Sequence, residues 1–553
     1  MYSIIKVLPV YKTRMATTRF RPYALRSLTS VLFVATSARC LSTIRTAGSG
    51  RSKVVVVPPE NYKAIDKLEP QSLWSQFAIL SSIPRPSKQE DAVISYIKGF
   101  AEERQLTWKQ DAIGNLVVFH PGCGTGKEAP PVILQGHVDM VTEKNSDTKH
   151  DFEKDPILLK RFVKENGQDW LGAQGTTLGA DNGIGVAAAL ALLETPVDDD
   201  SDKVLPPLQA LFTVDEETGL TGATELDAQA LGLTGRVMLN LDTEEWGELY
   251  VGCAGGGESY IKLPLARENT AATTTDADLV ELRVEGLLGG HSGINIHEGR
   301  ANAVLLCASA AQAALKLEGV DLVSIVGGDK HNAIPREARA QLLLSNSKAR
   351  PAVEEIMQTC VAAATAEFGT LEKNLCMALV DSTESGSESC PSPLTKDSAT
   401  RLLSLLLALP HGALKFSHSI PDLVETSNNL ASLSMSCDDG DDDTATILCS
   451  TRSSIDTALE SARDRLSAIA SLAGAFIEKL PAYPGWNPNM DSEILRLAKQ
   501  LLSERLENQR TPGVKAIHAG LECGLLIEKL GGDVDVISFG PTIEGAHSPG
   551  RLQ

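Results

Sequence analysis

Long apolar runs are missing from this 553-residue chain. No uninterrupted stretch approaches the roughly 18 to 20 apolar residues that a membrane-spanning helix needs, which argues against a membrane protein. Paired cysteines are missing as well. Ten cysteines are scattered without a CxxC spacing, which argues against a cysteine zinc ribbon or a disulfide framework and for reduced thiols in an intracellular protein. Cys253 and Cys523 read as small buried side chains. Basic residues are in deficit: 51 Lys and Arg stand against 71 Asp and Glu, a net charge of −20. Such a surface repels phosphates, so nucleic acid is excluded as a partner. What the chain has is length for two or more domains and 42% hydrophobic residues for their cores.

The first 59 residues lack acid altogether, yet hold ten Lys and Arg. An Arg- and Ser-rich, acid-free leader reads as a mitochondrial transit peptide over residues 1–59. A disordered tail on a cytoplasmic protein, or a start at Met15, is the alternative. The apolar patch Val31–Ala35 is short for a secretory signal.

Beyond the leader, Leu68 to Phe100 carries apolar residues at helical spacing, interrupted at Ser82-Ile-Pro-Arg-Pro-Ser87. Strand and helix patterns then alternate to about Asp242, the signature of a parallel sheet with crossover helices. The acidic clusters at 195–202 and 436–444 lack the ligand spacing of a calcium loop and read as solvated loops.

Five segments stop at metal-type side chains: Val132–Asp139, Leu178–Gly185, Leu211–Glu217, Val237–Asp242 and Val534–His547. Four read as buried parallel strands whose polar residue falls at the carboxyl end, the edge where open α/β sheets bind ligands. Two histidines and several carboxylates there suggest a metal site, since zinc takes imidazole nitrogen and carboxylate oxygen. Two ions about 3.5–4 Å apart can share a carboxylate, and Asp181 is the natural bridge. Taken alone, Asp181 would be a helix N-cap. Of the adjacent Glu216 and Glu217, one can ligate while its neighbour takes a proton from water; taken alone, the pair would be a surface turn. In His137-Val-Asp139 both side chains share one face of an extended segment, so Asp139 can orient the imidazole.

The segments Gln135–Met140, Gly175–Gly185, Asp215–Gly219, Asn240–Glu245 and His518–Gly524 together resemble the aminoacyl-histidine dipeptidase family. That family, also called Xaa-His dipeptidase or peptidase D, belongs to the co-catalytic zinc aminoacylase and carboxypeptidase superfamily. The resemblance runs from about Leu68 to the C-terminus. It implies an α/β zinc-peptidase catalytic domain with a mostly parallel central sheet, at residues 60–256 and 480–553. An inserted α+β lid and dimerisation domain would occupy 257–479.

It further implies two divalent ions, zinc with manganese or cobalt as alternatives, acting on a dipeptide in a homodimer. His137 and Asp242 would complete one site and Glu217 and His547 the other, with Asp181 bridging. Glu216 would be the general base and Asp139 the residue orienting His137. His291, in Gly286-Leu-Leu-Gly-Gly-His-Ser-Gly293, would reach a neighbouring active site to stabilise the tetrahedral intermediate; the alternative is an incidental histidine in a glycine turn. Asn332, Arg452 and Gly520 would contact substrate, Arg452 by forking onto the C-terminal carboxylate.

One departure stands out. Family members continue well past the last histidine, whereas only Ser548–Gln553 follow His547 here. The sequence therefore supports a metal-dependent dipeptidase, with a related N-acyl amino acid deacylase or carboxypeptidase, and an inactive peptide-binding scaffold, as rivals.

Overall fold

The computed structural model describes residues 4–6, 55–197, 203–268, 277–345, 349–381, 392–436, 443–506 and 510–549. They form two compact units. The first gathers Met1–Val251, Asn489–Lys515 and Leu525–Gln553; the second gathers Gly252–Pro488 and Ala516–Gly524. Most of the expected leader and parts of both acidic clusters lie outside the described residues. None of the described helices is long and apolar enough to cross a membrane.

The first unit is built on an eight-stranded sheet. Its centre is four parallel strands, in the spatial order Asp535–Ser538, Val237–Asn240, Val132–His137 and Leu208–Thr213. These are the apolar runs that the pattern marks as strands, and in the last two every residue is buried. The parallel expectation holds for this centre only. At the margins Leu116–His120 pairs antiparallel with Leu208–Thr213, and Thr107–Gln110 pairs antiparallel with Leu116–His120. A tight turn joins Thr107–Gln110 to Leu116–His120, whereas the pairing of Leu116–His120 with Leu208–Thr213 brings together strands far apart in the sequence, which local pattern reading does not resolve.

A polar row crosses the parallel strands near their carboxyl ends. Gln135 Nε2 donates to Thr213 Oγ1 at 3.1 Å, Asn240 Nδ2 donates to Gln135 Oε1 at 2.5 Å, and Ser538 Oγ donates to Asn240 Oδ1. All four side chains are buried and satisfy one another, which fixes strand register directly beneath the ligand edge.

The helix Ala180–Leu193 is almost wholly buried and packs against the Val132–His137 strand. Glycine makes that approach possible. A Cβ on Gly136 would lie 2.2 Å from Asn182 Oδ1, and one on Gly185 would lie 2.4 Å from the same atom. Asn182 Nδ2 meanwhile donates to Leu241 O at 2.7 Å, tying the helix start to the segment carrying Asp242.

A second, four-stranded sheet places Ile4–Lys6 between Asp169–Ala173 and Ile543–Glu544, antiparallel to both. Ile5 is buried, and Lys6 N donates to Thr542 O at 3.0 Å.

The second unit is an antiparallel sheet of nine strands among the described residues, carrying the helices Ala303–Ala314, Ala349–Phe368, Lys396–Ala408 and Asp456–Leu472. Alanine-rich Ala303–Ala314 packs flat against the strands around it, with Val280, Leu282, Leu322, Ile325 and Leu342 in the shared core.

Candidate active site

Four turns at the carboxyl edge of the parallel strands bring the predicted ligands together. His137 ends its strand and is buried; its Nε2 lies 3.1 Å from Asp181 Oδ1 and 3.3 Å from Asp242 Oδ1. The other oxygen of Asp181 faces His547, with Nε2 at 3.3 Å. His547 Nε2 is also 3.2 Å from Glu217 Oε2. One carboxylate thus presents its two oxygens to two imidazoles, each of which faces a further acid.

Asp181 caps nothing. The helix there has no side-chain cap, and Asp181 has extended rather than helical backbone angles, which frees its carboxylate for the cluster.

Behind the cluster, Asp139 Oδ1 is 3.2 Å from His137 Nδ1. The same carboxylate accepts from Glu216 N at 3.1 Å, Glu217 N at 3.2 Å and Ser87 Oγ at 2.7 Å. The turn that aims those amides begins at Asp215, whose φ of 50° is left-handed. Its carboxylate accepts from Thr218 Oγ1 and Thr221 Oγ1, both at 2.5 Å, which holds the turn.

The electrostatics are those of a site with too much negative charge. Burial alone would push His137 down, yet Asp242, Asp139 and Asp181 hold it well above the ordinary imidazole range. Hydrogen bonds that His547 donates to Asp181 and Glu217 push it up to about 11. Asp242 is raised by burial and by Asp181 beside it, whereas Asp181, although buried, is held low by His137 and His547. Asp139 too is buried, and is held down to about 2 by His137, Ser87 and the Glu216 amide. Buried carboxylates that must borrow protons from histidine are suited to divalent cations. The donor set agrees: His137, Asp181 and Asp242, and separately Asp181, Glu217 and His547, each place ligand atoms within 4.8 Å of one another. Glu217 Oε1 is moreover buried with no hydrogen-bond partner among the described residues.

His291, Asn332, Arg452 and Gly520 lie in the second unit. His291 Nδ1 accepts from the amides of Gly293 at 3.2 Å and Ile294 at 3.1 Å, within its own turn. That pattern puts the proton of a neutral imidazole on Nε2. Burial, with Arg452 and His331 nearby, pushes His291 down to about 4. Asn332 is exposed, and its carbonyl accepts from Ser292 N at 2.8 Å. Arg452 sits mid-sheet opposite Gly256 and Ser427, not on the surface. Its Nη1 donates to Tyr483 OH at 3.2 Å and its buried Nε has no partner among the described residues. Gly520 lies in the turn before Glu522, beside Ala519, whose carbonyl accepts from Ala254 N at 3.0 Å.

Sequence reasoning passed over Arg85 and Ser87, which contact the ligand-bearing loops, and Ser427, whose buried Oγ lies 2.7 Å from His518 Nε2. The one available signal was the Pro-Arg-Pro-Ser run, which reads only as a helix break.

A parallel-stranded catalytic unit with clustered imidazoles and acids at its ligand edge defines a metal-dependent hydrolase. Residues 282–370 match the peptidase dimerisation domain family. The chain is 39% identical over 486 residues to the cytosol non-specific dipeptidase of Escherichia coli strain K12, covering 88% of this chain and 94% of that protein. It superposes on the crystal structure of aminoacylhistidine dipeptidase from Vibrio alginolyticus with a TM-score of 0.75 at 36% identity, covering 88% of this chain and 93% of the other. The chain belongs to the aminoacyl-histidine dipeptidase family of metal-dependent peptidases.

Proposed function

We propose that this chain hydrolyses dipeptides, Xaa-His among them, with two divalent ions held by His137 and Asp242, by Glu217 and His547, and by Asp181 between them. The observation that carries the proposal is Asp181, whose two oxygens face two histidines. Zinc suits the imidazole and carboxylate donors, and manganese or cobalt could take the same ligands. When bound, such a pair polarises the scissile carbonyl and acidifies a water molecule.

The chain's own residues do the rest. Asp139 orients His137 and, through the amides of Glu216 and Glu217, fixes where both acids point. Glu216 takes the water proton on a carboxylate oxygen and passes it to the leaving amine. His291, neutral and protonated on Nε2, donates to the oxyanion of a substrate held by a second copy. Arg452 receives the C-terminal carboxylate of the substrate, which selects short peptides over internal bonds. Asn332 and the Gly520 amide complete the substrate contacts.

A homodimer is the expected assembly, supported by the dimerisation-domain match. We place the protein in the cytoplasm. The reading rests on the E. coli relative, which is named as cytosolic.

The test is Glu216→Gln. It should keep both metals while turnover falls about 10²- to 10⁴-fold, and a chelator should abolish wild-type hydrolysis of an Xaa-His dipeptide. Turnover retained in Glu216→Gln removes that residue from the mechanism. Faster turnover of N-acetyl amino acids than of dipeptides would favour a deacylase, and purified protein without metal would favour a scaffold.

A further inference from the structure

Arg85 is among the largest fully buried side chains of the molecule, 2% exposed. Among the described residues its guanidinium binds no carboxylate directly. Nη1 donates to Val138 O at 2.9 Å and Asp139 O at 2.7 Å, and Nη2 donates to Gly179 O. The first two carbonyls leave the strand that ends in His137, and the third enters the helix that starts at Asp181. One planar group therefore clamps the two loops that set His137 Nε2 3.1 Å from Asp181 Oδ1.

The surroundings are cut to fit the guanidinium. A Cβ on Gly179 or on Gly183 would lie 2.6 Å from Nη2. Pro84 and Pro86 flank the arginine and restrict its backbone, Pro86 pairs with Met140 in an isolated bridge, and Ser87 donates to Asp139. Burial lowers Arg85 to about 10, so it remains charged at neutral pH.

We propose that Arg85 is a positioning residue of the metal centre: it holds the His137 and Asp181 loops at the spacing that two cations require. The inference rests on the function proposed above. Charge and geometry pull in opposite directions here, which makes the assignment testable. A nearby positive charge on its own repels cations, so removing it would tighten metal binding; losing a clamp loosens it. Three carbonyl contacts divided between two loops favour the clamp. Lysine keeps the charge but lacks the two nitrogens that the guanidinium holds in a fixed plane, one toward each loop.

The experiment compares wild type, Arg85→Lys and Gly183→Ala by zinc titration against a competing chelator, with melting curves and dipeptide kinetics alongside. Gly183→Ala leaves Arg85 in place, suits a helix and drives a methyl group into Nη2. We expect both variants to fold, to bind zinc about 10- to 100-fold more weakly and to lose kcat with KM within about threefold. If Arg85→Lys does not fold, Gly183→Ala carries the test alone. Zinc affinity equal to or tighter than wild type in a folded variant overturns the clamp. Failure of wild type to bind zinc overturns the proposed function instead, so the two failures are distinguishable.

Discussion

At the scale of single residues, the centre depends on groups that touch no substrate. Asp139 accepts from two backbone amides and one hydroxyl while facing His137. In Asp139→Asn an NH₂ would meet one of these donors, so the turn carrying Glu216 and Glu217 would shift. Activity should fall about 10- to 100-fold with weaker metal retention, read by kinetics and by metal content after dialysis. Away from the centre, buried histidines contribute to the acid limb of stability, His411 among them. His411 is pushed down to about 4 by burial, and its Nδ1 accepts from Leu430 N at 3.4 Å. Between pH 6.5 and 4 the unfolded chain binds a proton there that the folded chain refuses. Stability is therefore complete above 6.5 and is lost as pH falls toward 4, by on the order of 2–3 kcal/mol. Melting curves of His411→Asn should fall less steeply than wild type over that interval.

At the scale of elements, the polar row across the parallel strands is the feature to break. Asn240→Leu keeps the branching of the side chain but removes the donor to Gln135 Oε1 and the acceptor for Ser538 Oγ, both buried. The expected loss is about 1–3 kcal/mol, measured as a shift in urea midpoint at unchanged slope. These same strands were the most legible part of the sequence. Val132–His137 and Val237–Asn240 announce themselves as apolar runs ending in a polar residue, and the ligands fall where the strands stop. Asp181, Glu216 and Glu217 were legible for a related reason, since each sits in a turn next to such a run. Arg85 was not, because its partners are carbonyl oxygens that every residue carries, so no side-chain pattern reports them. The antiparallel margins and the Ile4–Lys6 strand were equally hidden. The partner of Leu116–His120 is more than 80 residues away and that of Ile4, Glu544, more than 500, and short segments carry no record of that.

At the scale of the whole molecule, the first and last described segments share one sheet. Ile5 is buried between Leu171 and Ile543, and Lys164 meets Glu544 at 2.7 Å. Ile5→Ala should lower stability by about 2–4 kcal/mol and, because Ile543–Glu544 leads directly to His547, should weaken metal retention as well. Differential scanning calorimetry and metal titration would check the pair of effects; a stability loss with unchanged metal affinity would separate the strand from the site.

That arrangement also dictates when the enzyme can begin to work. A ribosome delivers Ile4 long before His547, and at roughly 5–20 residues per second the interval is about half a minute to two minutes. Throughout it the Ile4–Lys6 strand waits with one edge uncovered, and the histidine facing Glu217 has not yet been made. The nascent chain thus cannot assemble the proposed metal centre until His547 has been added.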